Sequence, residues 1–400
     1  MKKLILTYIF VSLALAAGAQ NMTSSPYSRF GYGDLGDEAP NTFRAMGGVG
    51  IGMRSKQAID PMQPASYTTC DSTSFMFDLA GSVLWTTYVD ASGRRNRVNG
   101  NLEYILLQVP IYKRHIAFSA GIMPYSSVGY NFSLSDSINS DYHYSQLFAG
   151  EGGITQVYGG LSFNVLDWFA VGANVYYMFG DVSNYRALTF TESGMHDVAM
   201  YSILKVSSVR TRVGAQLFHT FEDRHAFAVG AIFEPKLPLH GDFSVIETNW
   251  LDTVQYVGAN IQVPMQWGVG ASYTWQQRLT VAFDYTHQGW GEVKCFTDQQ
   301  LRSRSIYALG VEYRHNPIGR EYVERVFWRI GAKMADPYLE SINGKEYKVS
   351  IGVGLPLRNS ATLFNATIEY DHRGALLKED YLKLTINAAI NENWFFKRKL

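Results

Sequence analysis

Apolar side chains alternate residue by residue with small or polar ones in segment after segment from Asp71 to the end of the chain. A period of two predicts β-strands. Residues 279–286, for example, place Leu, Val, Phe and Tyr on one face and Thr, Ala, Asp and Thr on the other. Residues 169–177, 347–353 and 381–390 repeat the pattern. The sequence therefore predicts an all-β fold.

The composition of the second face of these strands distinguishes a membrane protein from a soluble sandwich. It carries mostly Gly, Ser, Thr and Asn, whereas the solvent face of a soluble sheet is rich in charge. Strands that are apolar outside and polar inside are typical of a transmembrane antiparallel β-barrel. We count about fourteen segments, an even number as single-chain bacterial barrels require, which places both chain ends on one side.

Four basic residues in these segments are expected to point into the barrel lumen, because a basic side chain facing lipid at mid-membrane costs roughly 2 to 4 kcal/mol. They are candidates for binding an anionic head group. The favoured alternative is internal pairing with acids such as Asp78, Asp284, Glu312 and Glu369, since lumen charges need partners. The four basic residues are Arg210, Arg212, Arg329 and Lys333.

The connections between segments differ in length, which assigns the two rims. Short turns mark the periplasmic rim of an outer-membrane barrel and long loops mark the outside. The link from Arg314 to Glu324 is longish for a periplasmic turn. We expect short turns near residues 112–115, 166–167, 222–224, 276–278 and 358–360, and long loops at 129–153, 180–205, 236–262 and 288–303.

One predicted long loop contains a cluster of large side chains. This cluster could form an outer hydrophobic catch for a ligand. The alternative is an aromatic loop folded over the barrel mouth, which is favoured because exposed apolar clusters are normally covered. Its members are Tyr142, Tyr144, Leu147 and Phe148.

The first residues predict export. Lys2 and Lys3, an apolar run from Leu4 to Ala16 and the small residues at 17–19 are typical of a signal peptide covering residues 1–19. No later run is long and apolar enough for a spanning helix, so membrane insertion must use strands. The 26 Tyr, 23 Phe and 8 Trp suit aromatic girdles at two membrane interfaces. The predicted location is the outer membrane of a Gram-negative bacterium, in contact with its lipid.

Charge and motifs exclude several functions. With 35 basic and 35 acidic residues, the chain has no net charge to attract nucleic acid. It has no nucleophile elbow, no His-Glu-x-x-His and no paired Cys spacing for a metal, so we expect neither an enzyme nor a metal site. Cys70 and Cys295 fall at opposite ends of the predicted barrel, beyond the roughly 7 Å limit for a disulfide.

Residues 20–70 lack the alternation, are dense in Gly and Pro, and are predicted to plug a barrel formed by residues 71–400. The run at 44–52, Arg-Ala-Met-Gly-Gly-Val-Gly-Ile-Gly, suits backbone packed into tight spaces. It does not fit a nucleotide, because no Lys-Ser or Lys-Thr follows and Met53 stands where the third dinucleotide-binding Gly is needed. We therefore expect no cofactor.

Two motifs in this segment resemble the FadL family, the outer-membrane transporters of long-chain fatty acids and other hydrophobic compounds. They are residues 43–48, Phe-Arg-Ala-Met-Gly-Gly, and residues 63–65, Gln-Pro-Ala, where the family has Asn-Pro-Ala. Residues 25–31 and 394–397 are similar to the Bacteroidetes branch, and the aromatic last strand resembles the signal read by barrel-assembly machinery. The plug-motif residues that the resemblance implies are Arg44, Gly47, Gly48, Gln63, Pro64 and Ala65.

The resemblance implies a channel for hydrophobic small molecules that enter an outer groove and leave sideways through a wall opening at a kink in the third strand. Pro124 lies where the third segment would kink. Since Pro cannot donate to the ladder, the strand either continues with a local gap in pairing or ends there. Two other functions stay open, a structural or assembly barrel that partners secreted or surface proteins and a general porin.

Overall fold

The computed structural model describes residues 23–90, 93–138, 142–190, 195–222, 224–248, 253–257, 261–293, 300–342, 344–357, 362–374 and 378–393. The predicted signal peptide and Cys295 lie outside these residues. Within them, fourteen antiparallel strands close into a barrel, because the last strand pairs with the first from Lys378↔Val89 to Asn393↔Ser74. The predicted all-β class, strand number and closure are confirmed.

The barrel strands follow one another around the wall in chain order, with one insertion between Glu234 and Gln266. Their bounds are β2 (Ser74–Asp90), β3 (Gly93–Tyr112), β4 (Ile116–Ile138), β5 (Tyr142–Leu166), β6 (Phe169–Phe190), β7 (Val198–Phe221), β8 (His225–Glu234), β13 (Gln266–Trp275), β14 (Leu279–Gln288), β15 (Arg304–Tyr313), β16 (Phe327–Ala335), β17 (Glu346–Pro356), β18 (Leu363–Arg373) and β19 (Lys378–Asn393).

The remaining elements are short. A two-residue strand belongs to the N-terminal region, and four strands belong to the insertion. These strands are β1 (Asp34–Leu35), β9 (Leu237–Leu239), β10 (Gly241–Thr248), β11 (Thr253–Val257) and β12 (Ile261–Val263). The helical turns are an α-helical turn at Asn41–Arg44 and 3-10 turns at Pro26–Arg29, Pro64–Thr69, Trp290–Glu292 and Val323–Arg325. Among the described residues, no helix has both the length and the apolar character needed to span a bilayer.

The two faces of the wall are as the alternation predicts. On β14, Val281 and Phe283 are 38% and 47% exposed, whereas Ala282 between them and Thr280 and Asp284 on either side are buried. The same alternation places Arg210, Arg212 and Arg329 on the buried face. Strands β8 and β13–β15 have 10 residues each, which is the length that a tilted strand needs to cross a bilayer.

The two rims differ as expected, with a short-turn rim and a long-loop rim. Tight turns at 113–115, 167–168 and 276–278 join strands at the short-turn rim, and β7 and β8 are separated by only three residues there, with Glu222 and Arg224 described. Left-handed backbone angles occur at Lys113, Glu222, Gln276 and Gln277. The predicted turn at 358–360 lies outside the described residues. The link between β15 and β16 is the long exception on this rim, as the sequence indicated.

Two of the predicted long loops are wrong. The described residues of 129–153 and most of those of 180–205 belong to strands β4–β7, whose pairing continues to Ile138↔Tyr142 and Leu188↔Val198. The glycines there bend the strands instead of ending them. Gly152 and Gly180 have φ of +107° and +142°, and the β5–β6 pairing skips residues between Gly152 and Thr155. The parts of β4–β7 that continue beyond the long-loop rim form a sheet that we call the raised sheet. Strand β10 pairs with β7 and extends it.

Residues 23–73, here called the N-terminal segment, lie against the buried face of the wall. The segment hydrogen-bonds to well-separated strands of the barrel, from Asn41 to Asn387 on β19 (2.9 Å) and from Gly50 to Asp284 on β14 (2.6 Å). Its first residues lie toward the long-loop rim, where Ser25 Oγ donates to Glu379 (2.7 Å). The barrel ends share the short-turn rim, but the expectation that both chain ends lie on one side is wrong for the described start of the chain.

Candidate functional site

The glycine run of the N-terminal segment packs directly against wall glycines. Gly47 has φ of +75°, and a Cβ atom there would lie 2.6 Å from the carbonyl oxygen of Ala332. A Cβ atom on Gly331 or Gly310 would collide with the backbone at Met46 and Gly47. Side chains are therefore excluded on both surfaces, and segment and wall meet backbone to backbone. Gly48 also has a positive φ, +85°, with more open surroundings.

Asp284 holds the second half of the glycine run. Its carboxylate accepts hydrogen bonds from the backbone N–H groups of Gly50 (2.6 Å) and Ile51 (2.8 Å). The predicted pairing of Asp284 with a lumen cation is wrong within the described residues, because backbone donors satisfy it instead. Nearby Asp60 is 2% exposed, and its Oδ2 has no hydrogen-bond partner. Burial raises the pKa of Asp60 to about 8, so this carboxyl is largely protonated at neutral pH.

Arg44 ties the segment to β3. Its guanidinium forms a buried ion pair with Glu103 and donates to the carbonyl oxygen of Ala39 (2.8 Å). Glu103 also pairs with Lys383 on β19 (2.6 Å) and accepts from Ser82. Arg44 is therefore a structural anchor between the segment and three strands.

A second network fixes Glu38. Arg210 and Arg212 of β7 each pair with both Glu38 and Glu234 of β8, so two guanidinium groups lie between two carboxylates. Gln156 of β5 accepts from Arg210 (2.8 Å) and donates to Glu38 (3.1 Å). Burial opposes ionisation of Glu38, but the two arginines outweigh it and lower the pKa of Glu38 to about 2.

The other two candidate cations also have acidic partners. Arg329 pairs with Glu312 (2.7 Å), and Lys333 pairs with Asp37 (3.2 Å). Lys348 joins Asp37 to Glu369 at 3.4 and 3.2 Å. The favoured prediction is that lumen charges pair internally, and each of the four predicted cations does have an acidic partner. The sequence identified Glu312 and Glu369 but missed Glu38 and Asp37, which lie in a segment without strand periodicity.

The Gln-Pro-Ala motif begins the 3-10 turn at Pro64–Thr69. Gln63 caps the turn by accepting from the N–H of Ala65 (3.3 Å), and its amide donates to the carbonyl of Ile51 (3.1 Å). Pro64 packs against Gly172, where a Cβ atom would lie 2.5 Å from the Pro64 carbonyl carbon. Ser162 Oγ donates to the carbonyl of Ala65 (3.0 Å). Gln thus makes the side-chain cap that an Asn could make at this position.

The proposed outer catch is not a loop. Tyr144, Leu147 and Phe148 lie on strand β5, and the side chain of Tyr142 lies outside the described residues. Phe148 is buried, stacks on Phe132 with ring centroids 5.2 Å apart, and lies under the guanidinium of Arg29. Leu147 points to the other side of the sheet and is 37% exposed. These side chains therefore do not form a single surface.

Pro124 lies inside strand β4, which continues through it to Ile138. Pairing of β4 with β3 stops at Ile105↔Ile122, and the β4–β5 register shifts between Pro124 and Ser126. Above Ile122 the edges of β3 and β4 are not paired with each other, and we call this stretch the seam.

The N-terminal segment occupies the β4 side of the seam. Strand β1 pairs through Asp34↔Ser127 and Leu35↔Ser126, and the N–H of Gly36 donates to the carbonyl of Tyr125 (2.8 Å). A few residues earlier, Ser28 bonds Gly129 of β4 (3.1 Å), and Ser24 donates to Asn99 of β3 (3.1 Å). The segment thus bridges both edges of the seam.

Three small cavities border Asp37. Their volumes are about 100, 130 and 60 Å³. The cavity beside the seam is lined by Pro124 together with charged residues such as Glu103, Lys383 and Arg373. Pockets for drug-sized ligands occupy roughly 300–1,000 Å³ and are mostly apolar, so these cavities suit water better than a hydrophobic molecule.

No group of three or more His, Cys, Asp or Glu residues that could hold a metal ion occurs in the described part of the chain. Cys70 is buried and forms no disulfide within the described residues.

Several solved structures share this fold. The toluene transporter TbuX of Ralstonia pickettii superposes with a TM-score of 0.63 at 16% identity, covering 90% of this chain and 99% of that one. The CymD monoaromatic hydrocarbon channel gives 0.60 at 14% identity over 92% and 99% of the two chains. A Pseudomonas aeruginosa FadL homologue gives 0.59 at 12% identity over 92% and 100%. A comparison with curated protein sequences finds no match.

Fold and wall together define a fourteen-strand barrel of the FadL type, which confirms the predicted resemblance at the level of the fold. Within that class, the whole chain, residues 1–400, matches the family model described as BamG. The chain belongs to the BamG family.

Proposed function

We propose that this chain is an outer-membrane barrel with a closed lumen that acts as a structural member of a protein-assembly complex. The observation that carries the proposal is the packing of the N-terminal segment. Residues 23–73 are tied to the wall by buried ion pairs and backbone contacts, and the cavities beside Asp37 are at most about 130 Å³. A lumen filled in this way leaves the outer surface of the barrel and its rims as the working surfaces. The family name BamG is consistent with a relation to barrel assembly.

The proposal includes the location and the domain boundaries. Residues 1–19 serve as a cleaved signal peptide, residues 20–70 as a plug, and residues 71–400 as the barrel. The wall presents apolar side chains to its surroundings, with Ile351, Ile368 and Ile386 between 49% and 56% exposed, as an outer-membrane lipid environment favours. The short-turn rim faces the periplasm and the raised sheet faces outward.

A second function is supported by the seam. Passage of a small hydrophobic compound through the wall would use the stretch where β4 leaves β3 above Ile122. Proteins of the same fold are described as a toluene transporter and a monoaromatic hydrocarbon channel. The charged lining of the seam cavity and the N-terminal segment lying across it favour the assembly role.

A locked variant separates the two functions. Leu35 and Ser126 are directly opposed in the β1–β4 pair, where Cα atoms lie about 4.5–5.5 Å apart, within disulfide range. Leu35→Cys/Ser126→Cys, made in a Cys70→Ser/Cys295→Ser background, fixes the segment across the seam. We expect the oxidised variant to restore normal levels of folded outer-membrane barrels in cells depleted of the wild-type chain. Folded barrels are scored by their heat-modifiable migration on gels.

The controls are the same variant under reducing conditions and each single cysteine alone. Normal barrel levels in depleted cells that carry no variant, together with loss of labelled fatty-acid uptake that only the reduced form of the variant restores, would reject the assembly role in favour of transport. In the transport case, Pro124→Val is expected to restore strand pairing and lower uptake while the barrel still assembles. A general porin predicts steady ion conductance of the purified chain in a planar bilayer, and we expect none.

A further inference from the structure

The connection between β15 and β16, residues 314–326, is the long turn on the short-turn rim, and we call it the rim loop. The described turns on the same rim at 113–115, 167–168 and 276–278 have three residues or fewer and only reverse the chain. Long ordered loops in compact proteins are usually functional. The lumen site described above uses none of the rim loop.

The rim loop has a defined conformation. The N–H of Asn316 donates to the carbonyl of Glu324 (2.9 Å), which closes the loop, and the N–H of Gly319 donates back to Asn316 (3.2 Å). At its base, Arg314 donates to the carbonyls of Arg278 (2.7 Å, from N–H) and Gln277 (3.1 Å, from the side chain). The loop is therefore held by its own hydrogen bonds and by the neighbouring turn.

This ordered loop presents apolar side chains to solvent. Ile318 is 91% exposed, Val323 67% and Tyr322 47%. The loop lies beyond the bilayer interface, because the outward aromatics Tyr313 and Trp328 flank it at the two strand ends. Its apolar side chains thus lie on the aqueous side of the aromatic girdle, where they have no lipid to cover them.

Charge specifies the kind of partner. Four arginines lie in or beside the loop, Arg278, Arg314, Arg320 and Arg325, against two acids, Glu321 and Glu324. None of the four forms an ion pair in the portion of the chain that the structure describes. Arg278 and Arg320 are exposed, whereas Arg314 and Arg325 are half-buried and lie over the rings of Phe327 (4.6 Å) and Tyr322 (5.8 Å). Exposed Tyr and Arg side chains around an aliphatic anchor are typical of a protein-binding hot spot.

We propose that the rim loop is the docking site for a periplasmic protein that has an apolar groove with an acidic edge. Ile318 and Val323 fill the groove, and the arginines pair with the edge. The inference rests on the proposed function and its orientation, since it supplies the contact through which the barrel joins an assembly.

The test is photo-crosslinking in intact cells, with a photoreactive amino acid at Ile318 and, as the matched control, at exposed Arg224 in a turn on the same rim. We expect a protein adduct at position 318 and none at 224. Adding Arg320→Glu/Arg325→Glu to the 318 probe should lower adduct yield about tenfold or more, because like charges meet at the edge. Heat-modifiable migration confirms that each variant forms the barrel.

Three results overturn the inference. They are an adduct with lipid only, a protein adduct of equal yield at both positions, and a protein adduct that the charge reversal leaves unchanged. If position 318 gives no protein adduct while the locked Leu35→Cys/Ser126→Cys variant still supports barrel assembly, the docking site is wrong and the proposed function stands. If depletion of the chain leaves folded barrels at normal levels, the proposed function fails independently.

Discussion

Replacing Glu38 tests whether buried charge holds the N-terminal segment in the lumen. Glu38 pairs with Arg210 and Arg212, which are 5% and 1% exposed, and Glu38 itself is 17% exposed. Glu38→Ala leaves two adjacent guanidinium groups with Glu234 as their remaining carboxylate. Removing one member of a buried ion-pair network typically costs about 3–5 kcal/mol.

That cost appears as local opening of the segment, since the wall retains its own strand pairing. At 1.4 kcal/mol per factor of ten, opening becomes roughly two to three and a half orders of magnitude more frequent. Hydrogen–deuterium exchange with mass spectrometry on peptides covering residues 33–48 measures it directly. Exchange in β14 and β15 should stay unchanged.

Two variants make the comparison specific. Glu38→Gln keeps the shape and one acceptor, so its exchange should lie between that of the wild type and Glu38→Ala. Glu151→Gln removes an exposed carboxylate on β5 and should have no effect. Wild-type protection of residues 33–48 in Glu38→Ala would refute the idea that these charges anchor the segment, and would leave the glycine contacts as the main constraint.

Three further predictions concern the contacts around the segment and the outer wall. Gly331→Val should displace the backbone at Gly47, which leaves no room for a Cβ atom, and should expose the segment to protease while the barrel remains heat-modifiable. The pKa of Asp60 is about 8 in the folded protein, against an ordinary value of 3.8. The stability that protonated Asp60 gives the segment is therefore complete below about pH 4 and is lost as pH rises to about 8. Asp60→Asn should remove that pH dependence of exchange, and a retained dependence would assign it to another group. Phe283→Arg on the lipid face should cost about 2–4 kcal/mol of folding free energy in lipid vesicles, whereas the exposed turn variant Arg224→Phe should be nearly neutral.

The wall of the barrel could be predicted from sequence because its signal is periodic. Alternation fixes which face of β14 meets lipid, and the count of such segments gives the number of strands. The raised sheet could not be predicted in the same way. Residues 129–153 contain several glycines, which favour a loop in a one-dimensional reading, yet Gly152 bends a strand that keeps its partners on both sides.

Residues of the site could be predicted from the sequence only where a charged residue lay on a strand with clear alternation. Arg210 and Arg212 had to face the lumen, and they do. Their partner Glu38 lies in a segment whose path depends on contacts with strands far apart in the chain, such as β3, β7, β14 and β19, and no local pattern encodes such a path. The inward glycines Gly310 and Gly331 were a usable signal, because a strand position without a side chain on the inner face indicates that another backbone approaches it.

Strand β19 takes part both in closing the wall and in holding the N-terminal segment. The last strand supplies Asn387 to Asn41, Glu379 to Ser25 and Asn391 to the carbonyl of Lys56, at 2.9, 2.7 and 3.2 Å. The same strand closes the wall on β2, which lies roughly 300 residues earlier in the chain. Closure of the wall and completion of the segment's contacts therefore both require the last strand, although β3, β7 and β14 also hold the segment.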